Sequence, residues 1–348
     1  MNESKDDAPL SGLKVVELYA IGPVPFVGMQ LQQLGASVVR VSPPRDRNIG
    51  IEVGAEADLL NRGKTRRAIN LKSTDGLGEF RQLLSAADVL TEGFRPGVME
   101  RLTLAPEQLL KDHPRLVIGR LSGFGRYGPY AQRAGHDINY LALSGALAAI
   151  GTPDSPIVPL NLVADFGGGA MHLLTGILAK LVQRGINGHG GIVDASILSG
   201  TLSLTTMMHG LLAGGRWSLD RQVNLLDGGL PFYRVYKTRD DKFVAVGALE
   251  QNFFKELLVL TGLNAVISVD KQYDMKTWPT MILALSSAFA ARTRDEWAAD
   301  ACKTDCCVTP VLDFTESLSH EHNIANGWVQ QQPFPHPGSA LTFPTPTQ

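Results

Sequence analysis

Between Leu13 and Leu121, short runs of Val, Ile and Leu alternate with amphipathic stretches. That alternation leaves few architectures open. The runs Leu13–Leu18, Ser37–Val41, Arg67–Leu71, Val89–Glu92 and Leu116–Leu121 have the length and residue types of strands. Helical spacing occupies the stretch that ends at Leu34, then Thr74–Ala87 and Pro106–Lys111, with a Gly/Pro turn expected at Gly22–Pro25. Consecutive strands joined through helices read as an α/β, Rossmann-like open parallel sheet with helices on both faces. Such sheets place ligands at the carboxyl ends of their strands. The first strand is not followed by GxGxxG, because Gly22 precedes Pro23, Val24 and Pro25. The dinucleotide fingerprint is therefore missing, and a nicotinamide-dependent dehydrogenase is a poor reading.

Further along, His136–Ile150 and Phe166–Val182 carry helical apolar spacing, with Gly135 and Asp165 just before them. A second, α+β region begins near Asn224. Tyr233–Lys237 and Phe243–Gly247 flank a turn at Thr238–Asp241 as in a hairpin, and helices are expected at Asn252–Thr261 and Met281–Ala301. Beyond Trp328 the chain is Pro-rich and reads as extended. With 348 residues there is room for two domains, or for one core and a lobe.

A formal net charge of -2 argues against bulk binding of nucleic acid, so phosphate recognition requires a local basic cluster. The three cysteines, Cys302, Cys306 and Cys307, form neither a disulfide framework nor a zinc spacing, and read as reduced packing residues. Met1–Pro9 is polar and lacks the apolar core of a secretory signal. No uncharged apolar run long enough for a bilayer is expected, and the final Pro-Thr-Gln is not a peroxisomal address. The expected location is the cytoplasm, with peroxisome or mitochondrion open for a eukaryotic source.

Basic residues fall at or after successive strands: Arg40, Arg62 and Lys64 within Asn61-Arg62-Gly63-Lys64, then Arg95 and Arg101. Singly each is an ordinary surface charge, but their recurrence at strand ends is what a polyphosphate site requires. Gly123-Phe124-Gly125-Arg126-Tyr127 would let main-chain amides approach a ligand, and would equally serve as a plain surface loop. His136 stands at a helix start, where a lone histidine is commonly structural. Asp165 is placed to cap the helix that follows. Gly167, Gly168 and Gly169 would each cost that helix about 1 kcal/mol relative to alanine, so something is expected to lie close against its first turn. Glu250 follows an apolar strand and reads by itself as a surface carboxylate.

Together, Gly135-His136-Asp137-Ile138-Asn139-Tyr140, Asp165-Phe166-Gly167-Gly168-Gly169, Leu226-Asp227-Gly228-Gly229, Pro231-Phe232-Tyr233, Val246-Gly247-Ala248-Leu249-Glu250 and Asn61-Arg62-Gly63-Lys64 resemble the α-methylacyl-CoA racemases of the family III CoA-transferase superfamily. The resemblance runs from Leu13 to about Gly327. It implies an interlocked homodimer and an acyl-CoA substrate, with no metal or organic cofactor and with neither nucleic acid nor membrane as partner. It also implies a large CoA-binding domain over residues 1–200 completed by 310–348, a linker helix region over 201–224 and a smaller α+β domain over 225–305. The active site would lie between the large domain of one subunit and the small domain of the other. His136 and Asp165 would be the proton-transfer pair, with Glu250 partnering the histidine. Arg40 and Arg101 fall at the family's basic positions, and the expected CoA-contacting set adds Arg62, Lys64, Arg95, Gly123, Phe124, Gly125, Tyr127 and Asp137 to them. In the transferases of the superfamily, the position of Asp165 holds a nucleophile that forms an acyl anhydride.

Two acid/base groups flanking the α-carbon suit a racemase. Histidine, near pKa ~6.5, works in either direction. A carboxylate near ~3.9 needs its site to raise its pKa or to stabilise the enolate strongly. Two rival readings are a CoA-transferase acting through Asp165 and a non-catalytic acyl-CoA-binding protein. His136 weighs against the transferase, because those enzymes usually carry an aromatic residue there. Arg234, where related racemases usually carry an acid, and Asp240-Asp241, where Asp-Gly is common, depart from the pattern and leave the acyl chain open.

Overall fold

In the computed structural model, which describes residues 8–45, 53–341 and 343, the five expected apolar runs of the first third all become strands. Met1–Asp7, read above for a secretory signal, and the terminal Pro-Thr-Gln lie outside the described residues. The elements run β1 (Lys14–Leu18), α1 (Pro23–Gln33), β2 (Ser37–Ser42), β3 (Thr65–Ala68), α2 (Thr74–Leu84), β4 (Val89–Glu92), α3 (Val98–Arg101), α4 (Pro106–Asp112) and β5 (Val117–Ser122). After α5 (Asp137–Ser144) and α6 (Ala146–Ala149), a π-helical segment, Leu162–Ala170, leads directly into α7 (Met171–Asn187). β6 (Gly191–Ser196), α8 (Ile197–Leu204) and α9 (Thr206–Ala213) follow.

These strands form one six-stranded parallel sheet in the order β3-β2-β1-β4-β5-β6. Neighbouring residues along each strand serve opposite faces. Val15, Val38, Val89 and Val117 join a core with α1, α5, α7 and α8, while Val16, Val41, Leu90 and Ile118 join one with α2, α3 and α4. Each such side chain contributes about 2 kcal/mol by leaving water. Strand order reverses between β1 and β4, so the crevice of this sheet lies there.

A second sheet, β7-β8-β9, is antiparallel: β7 (Tyr233–Lys237) and β8 (Phe243–Gly247) form the expected hairpin, and β9 (Val308–Pro310) adds to β8. Its core is built from Phe232, Tyr236, Val244 and Val246 with α10 (Gln251–Thr261), α11 (Trp278–Phe289) and α12 (Arg294–Ala301). Arg294 binds Glu316 through both terminal nitrogens, and Lys242 reaches the same carboxylate, so α13 (Phe314–Ser319) is fastened to this second unit. α14 (Glu321–Ala325) and the short pair β10 (Val329–Gln330) and β11 (His336–Pro337) close the described chain. There the chain returns towards the large sheet: Arg62 Nη1 lies 2.8 Å from Nε2 of the buried His336.

Several expectations are corrected. Gly22–Pro25 is not a free turn, because Pro23 opens α1 where a missing N–H costs nothing. β3 lies earlier than Arg67–Leu71, and α2 ends at Leu84 rather than Ala87. The helix read over His136–Ile150 breaks at Gly145, which sits at φ 84°. The helix read over Met281–Ala301 breaks before Thr293, whose hydroxyl caps α12 and whose N–H is taken by Glu296. Of the cysteines only Cys306 is buried; Cys302 and Cys307 are exposed. The stretch Leu162–Asn187 is long and apolar enough to cross a membrane by length and composition, so the expectation that no such run exists was too strong. Here Leu173, Leu174 and Ile177 of that stretch pack into the core of the large sheet.

Candidate active site

At the reversal of strand order, the loops after β1 and β4 open onto a cavity of about 1300 Å³. Its walls include Tyr19–Pro25, Gly93–Pro96, Leu121–Phe124, Gly135, His136, Asn161 and Asp165. α1 opens with Pro23-Val24-Pro25 and so offers few N–H donors at the mouth, which fits the missing dinucleotide fingerprint.

The basic wall is set by strand register. Arg40 on β2 is directly opposite Arg66 on β3, and both line the cavity. Two like charges on adjacent strands repel, so the row favours an anion in front of it. Arg40 stacks over the Tyr19 ring at 4.7 Å, and its buried Nε has no hydrogen-bond partner among the described residues. Arg95 lines the same cavity. Arg101 does not: it lines a separate 640 Å³ cavity with Leu71, Lys72, Leu77, Val98, Leu102 and Thr103.

Lys64 and Arg62 are corrected as ligand contacts. Lys64 Nζ, its side chain 1% exposed, binds both oxygens of Glu17 at 2.7 and 2.9 Å and the carbonyl of Pro25 at 2.8 Å. Burial pushes the Glu17 carboxyl up and the Lys64 ammonium down, and each charge opposes the other's displacement. Lys64 thus fastens the segment that lines the cavity over 57–61 to β1 and α1. Arg62 is spent on His336.

The glycine-rich loop is only partly in place. Gly123 and Phe124 line the cavity, whereas Gly125 and the exposed Tyr127 do not. A Cβ on Gly123 would collide with the Tyr140 hydroxyl, and one on Gly135 would meet Phe124. The rings of Phe124 and Tyr140 meet edge-on at 4.8 Å, and the Tyr140 hydroxyl donates to the Gly135 carbonyl at 2.6 Å. These contacts lock the loop after β5 to the start of α5. Arg126, from the same loop, is tied to Glu100 and Asp194.

His136 is the residue before α5, and its N–H donates to Asn139 Oδ1 at 3.0 Å. Asp165 is not the N-cap expected of it, because it is the fourth residue of the π-helical segment. The expectation that something lies close against the following glycines is met, and by protein. A Cβ on Gly168 would meet Thr201 at 2.5 Å and one on Gly169 would meet Ile197 at 2.8 Å, so the close neighbour is α8. Burial foremost, and then the charge of Asp137, push the Asp165 carboxyl up to about 6; Asn161 and His136 pull the other way. Burial and the Asp165 charge push the Tyr140 phenol up to about 12, so it stays neutral. Asp137 is buried and accepts the Asp165 N–H at 2.7 Å, so it is corrected from ligand contact to support beneath the site.

The chain has recognisable relatives among known proteins. The family model described as CoA-transferase family III matches residues 10–348. The chain belongs to CoA-transferase family III. It is 43% identical over 341 residues to a mouse protein named alpha-methylacyl-CoA racemase, covering 96% of this chain and 86% of that one. The human protein of the same name is 43% identical over 319 residues, with 91% and 81% covered. A CAIB/BAIF family protein from Brucella suis superposes with a TM-score of 0.82 at 24% identity, covering 97% of this chain and 93% of that one, which shows the shared fold.

Within this family III fold, Glu250 stands apart. It is the exposed residue before α10 and does not line the cavity of its own chain, so the structure does not bring it to His136. Arg234 likewise points elsewhere, donating to the Gly228 carbonyl at 2.8 Å. Sequence reading missed Tyr19, Arg66 and Arg133 as cavity residues. Arg66 had a usable signal, because starting β3 at Thr65 brings it beside Arg40. Among the described residues, no group of three or more His, Cys, Asp or Glu is placed to hold a metal ion.

Proposed function

We propose that the protein is an isomerase that interconverts the epimers of 2-methylacyl-CoA thioesters by moving the α-proton from one face to the other. The observation that carries this reading is the placement of His136 and Asp165 on the wall of one cavity whose basic side holds Arg40 and Arg66. The high identity to the two mammalian racemases supports it. The imidazole of His136 removes the α-proton from one epimer, and protonated Asp165 returns one to the opposite face. For the other epimer the roles exchange. An Asp165 pKa of about 6 leaves both of its forms accessible near neutrality. The thioester carbonyl takes up the electron pair as an enolate, which the positive end of α5 beside His136 stabilises. This needs no cofactor beyond the CoA that the substrate carries.

Arg40 and Arg66 bind CoA phosphate, and the nucleotide end extends to Arg101 and Lys72 in the second cavity. The active form is a homodimer in which Glu250 of one copy reaches His136 of the other. Support comes from the position of Glu250 outside its own cavity, and from α9, none of whose residues is buried in the single chain.

Proton NMR of each pure 2-methylacyl-CoA epimer in deuterium oxide tests the reading. The α-proton signal should disappear from both epimers without a second substrate, and His136→Ala should slow this by roughly 100-fold or more. Turnover that appears only when a free carboxylic acid is added would instead make Asp165 the nucleophile of a CoA-transferase.

A further inference from the structure

Asp137 is a buried carboxylate that the proton transfers above do not use. It follows His136 directly, is 7% exposed, and opens α5. Its Oδ1 accepts the main-chain N–H of Asp165 at 2.7 Å, and the N–H of Ala164 also points to this carboxylate. Its Oδ2 is buried with no hydrogen-bond partner among the described residues. The first N–H groups of any helix lack a carbonyl one turn back. In the π-helical segment the Phe166 N–H reaches the Asn161 carbonyl at 3.3 Å, while that of Asp165 is left to a carboxylate 28 residues earlier in the chain. A cap is ordinarily a local residue. Here it comes from the neighbouring helix, from the residue adjoining His136.

We propose that Asp137 is a positioning residue for the reaction: its carboxylate holds the Asp165 main chain against α5, so that the His136 imidazole and the Asp165 carboxyl address the substrate carbon from two fixed directions. The proposal rests on the racemase reading. Its second consequence is electrostatic, because a buried negative charge beside Asp165 favours the protonated carboxyl. Of the other groups around Asp165, Asn161 and His136 oppose it, each less strongly. From the start of α5 come His136, just before it, and the neutral Tyr140, and Arg95 from the turn after β4 faces that phenol. Asn161 donates to the carboxylate. The start of α1 brings the Gly22 main chain and the Phe26 ring, which stacks on Phe166, and α8 brings the uncharged Thr201 against Gly168. His172 of α7 lies 3.3 Å from the Gly167 carbonyl.

Two variants separate the roles. Asp137→Asn keeps an acceptor oxygen and the shape but removes the charge, and Asp137→Ala removes both. The Asp165 carboxyl is followed by ¹³C NMR titration of the ligand-free, full-length protein, assigned by the signal missing from Asp165→Asn. In Asp137→Asn its midpoint should fall from about 6 towards the ordinary 3.8. The acidic limb of α-proton exchange should fall with it, for the epimer whose proton Asp165 removes. Asp137→Ala should in addition lower kcat by roughly 10- to 100-fold with a much smaller change in KM, the pattern of lost geometry in the transition state. An unchanged midpoint and pH profile in Asp137→Asn, or full kcat in Asp137→Ala, would overturn the proposal. Absence of exchange by the wild-type protein would sink the racemase reading instead, and the titration, which needs no turnover, would still decide for or against the coupling of the two carboxylates.

Discussion

Two carboxylates near the same cleft, Glu17 buried and Asp165 half-buried, are treated in opposite ways. Glu17, at the end of β1, faces the ammonium of Lys64 at 2.7 Å, and neither side chain is more than 1% exposed. Asp165, across the cleft, has Asp137 as its nearest charged support and no lysine or arginine bound to it in any described contact. The first arrangement uses its charges to fix main chain: Lys64 also holds the Pro25 carbonyl, so the loop after β1 and the segment before β3 are one unit. The second stores unfavourable electrostatic energy at the place where a proton must be held and released. Burial raises the pKa of both acids; the lysine in contact with Glu17 draws it back, whereas Asn161 and His136 must draw Asp165 back against the charge of Asp137.

The largest effect should come from breaking the paired site. Lys64→Met leaves Glu17 buried without a partner, and the ligand-free protein should lose about 3–5 kcal/mol in urea or guanidinium unfolding. The double variant Lys64→Met with Glu17→Gln should recover most of that, because the cost lies in the orphaned charge. A single variant as stable as wild type would show that the pair contributes nothing to holding the cleft.

The contrast between these sites was hidden in the sequence for a physical reason. Apolar periodicity exposed the central strands of the large sheet because they are buried on both faces, as the near-complete burial of Val89 and Leu90 shows, while β3, exposed along its whole length, was placed too late. It missed β6, where Gly191, Asp194 and Ser196 leave only Ile192 and Val193 as a pattern. It missed β9 as well, which is three residues long. Charge is harder still to read. Arg40 and Lys64 look alike in the sequence, and only strand register puts Arg66 beside the first and Glu17 against the second. Asp165 could be named from its motif, but its place in a π-helical segment depends on α8 crossing at Gly168 and Gly169. That contact is tertiary and leaves no local signal beyond the glycines themselves.

If Arg40 is charge held for an anion rather than spent internally, Arg40→Gln should separate binding from stability. Affinity for CoA by isothermal titration should fall by about 1.5–3 kcal/mol, the scale of a hydrogen bond to a charged group. Unfolding of the ligand-free protein should change by only ~0.5 kcal/mol, because among the described residues the variant breaks no ion pair, and relief of the repulsion from Arg66 offsets the lost stacking on Tyr19. The remaining affinity should also depend less steeply on salt. Unchanged CoA affinity would place the phosphates elsewhere.

The smallest effect, opposite in sign to that of Lys64→Met, concerns the like-charged site. A carboxyl raised from 3.8 to about 6 keeps its proton in the folded protein over a range in which the unfolded chain has released it. Stability therefore falls as pH rises between about 4 and 6 and is flat above that window. In a dry interior the difference would amount to about 3 kcal/mol. Water in the open cleft screens it to about 1 kcal/mol. Asp165→Asn removes the ionisation, so at pH 7.5 it should abolish interconversion of the epimers, and α-proton exchange from the epimer whose proton Asp165 removes, while making the ligand-free protein more stable by about that amount, and the gain should vanish as the pH is lowered to 4. Denaturant midpoints for wild type and variant at the two pH values measure this directly. A variant less stable than wild type at pH 7.5 would mean that Asp165 is held by favourable contacts like those of Glu17, and that the cleft stores no electrostatic strain.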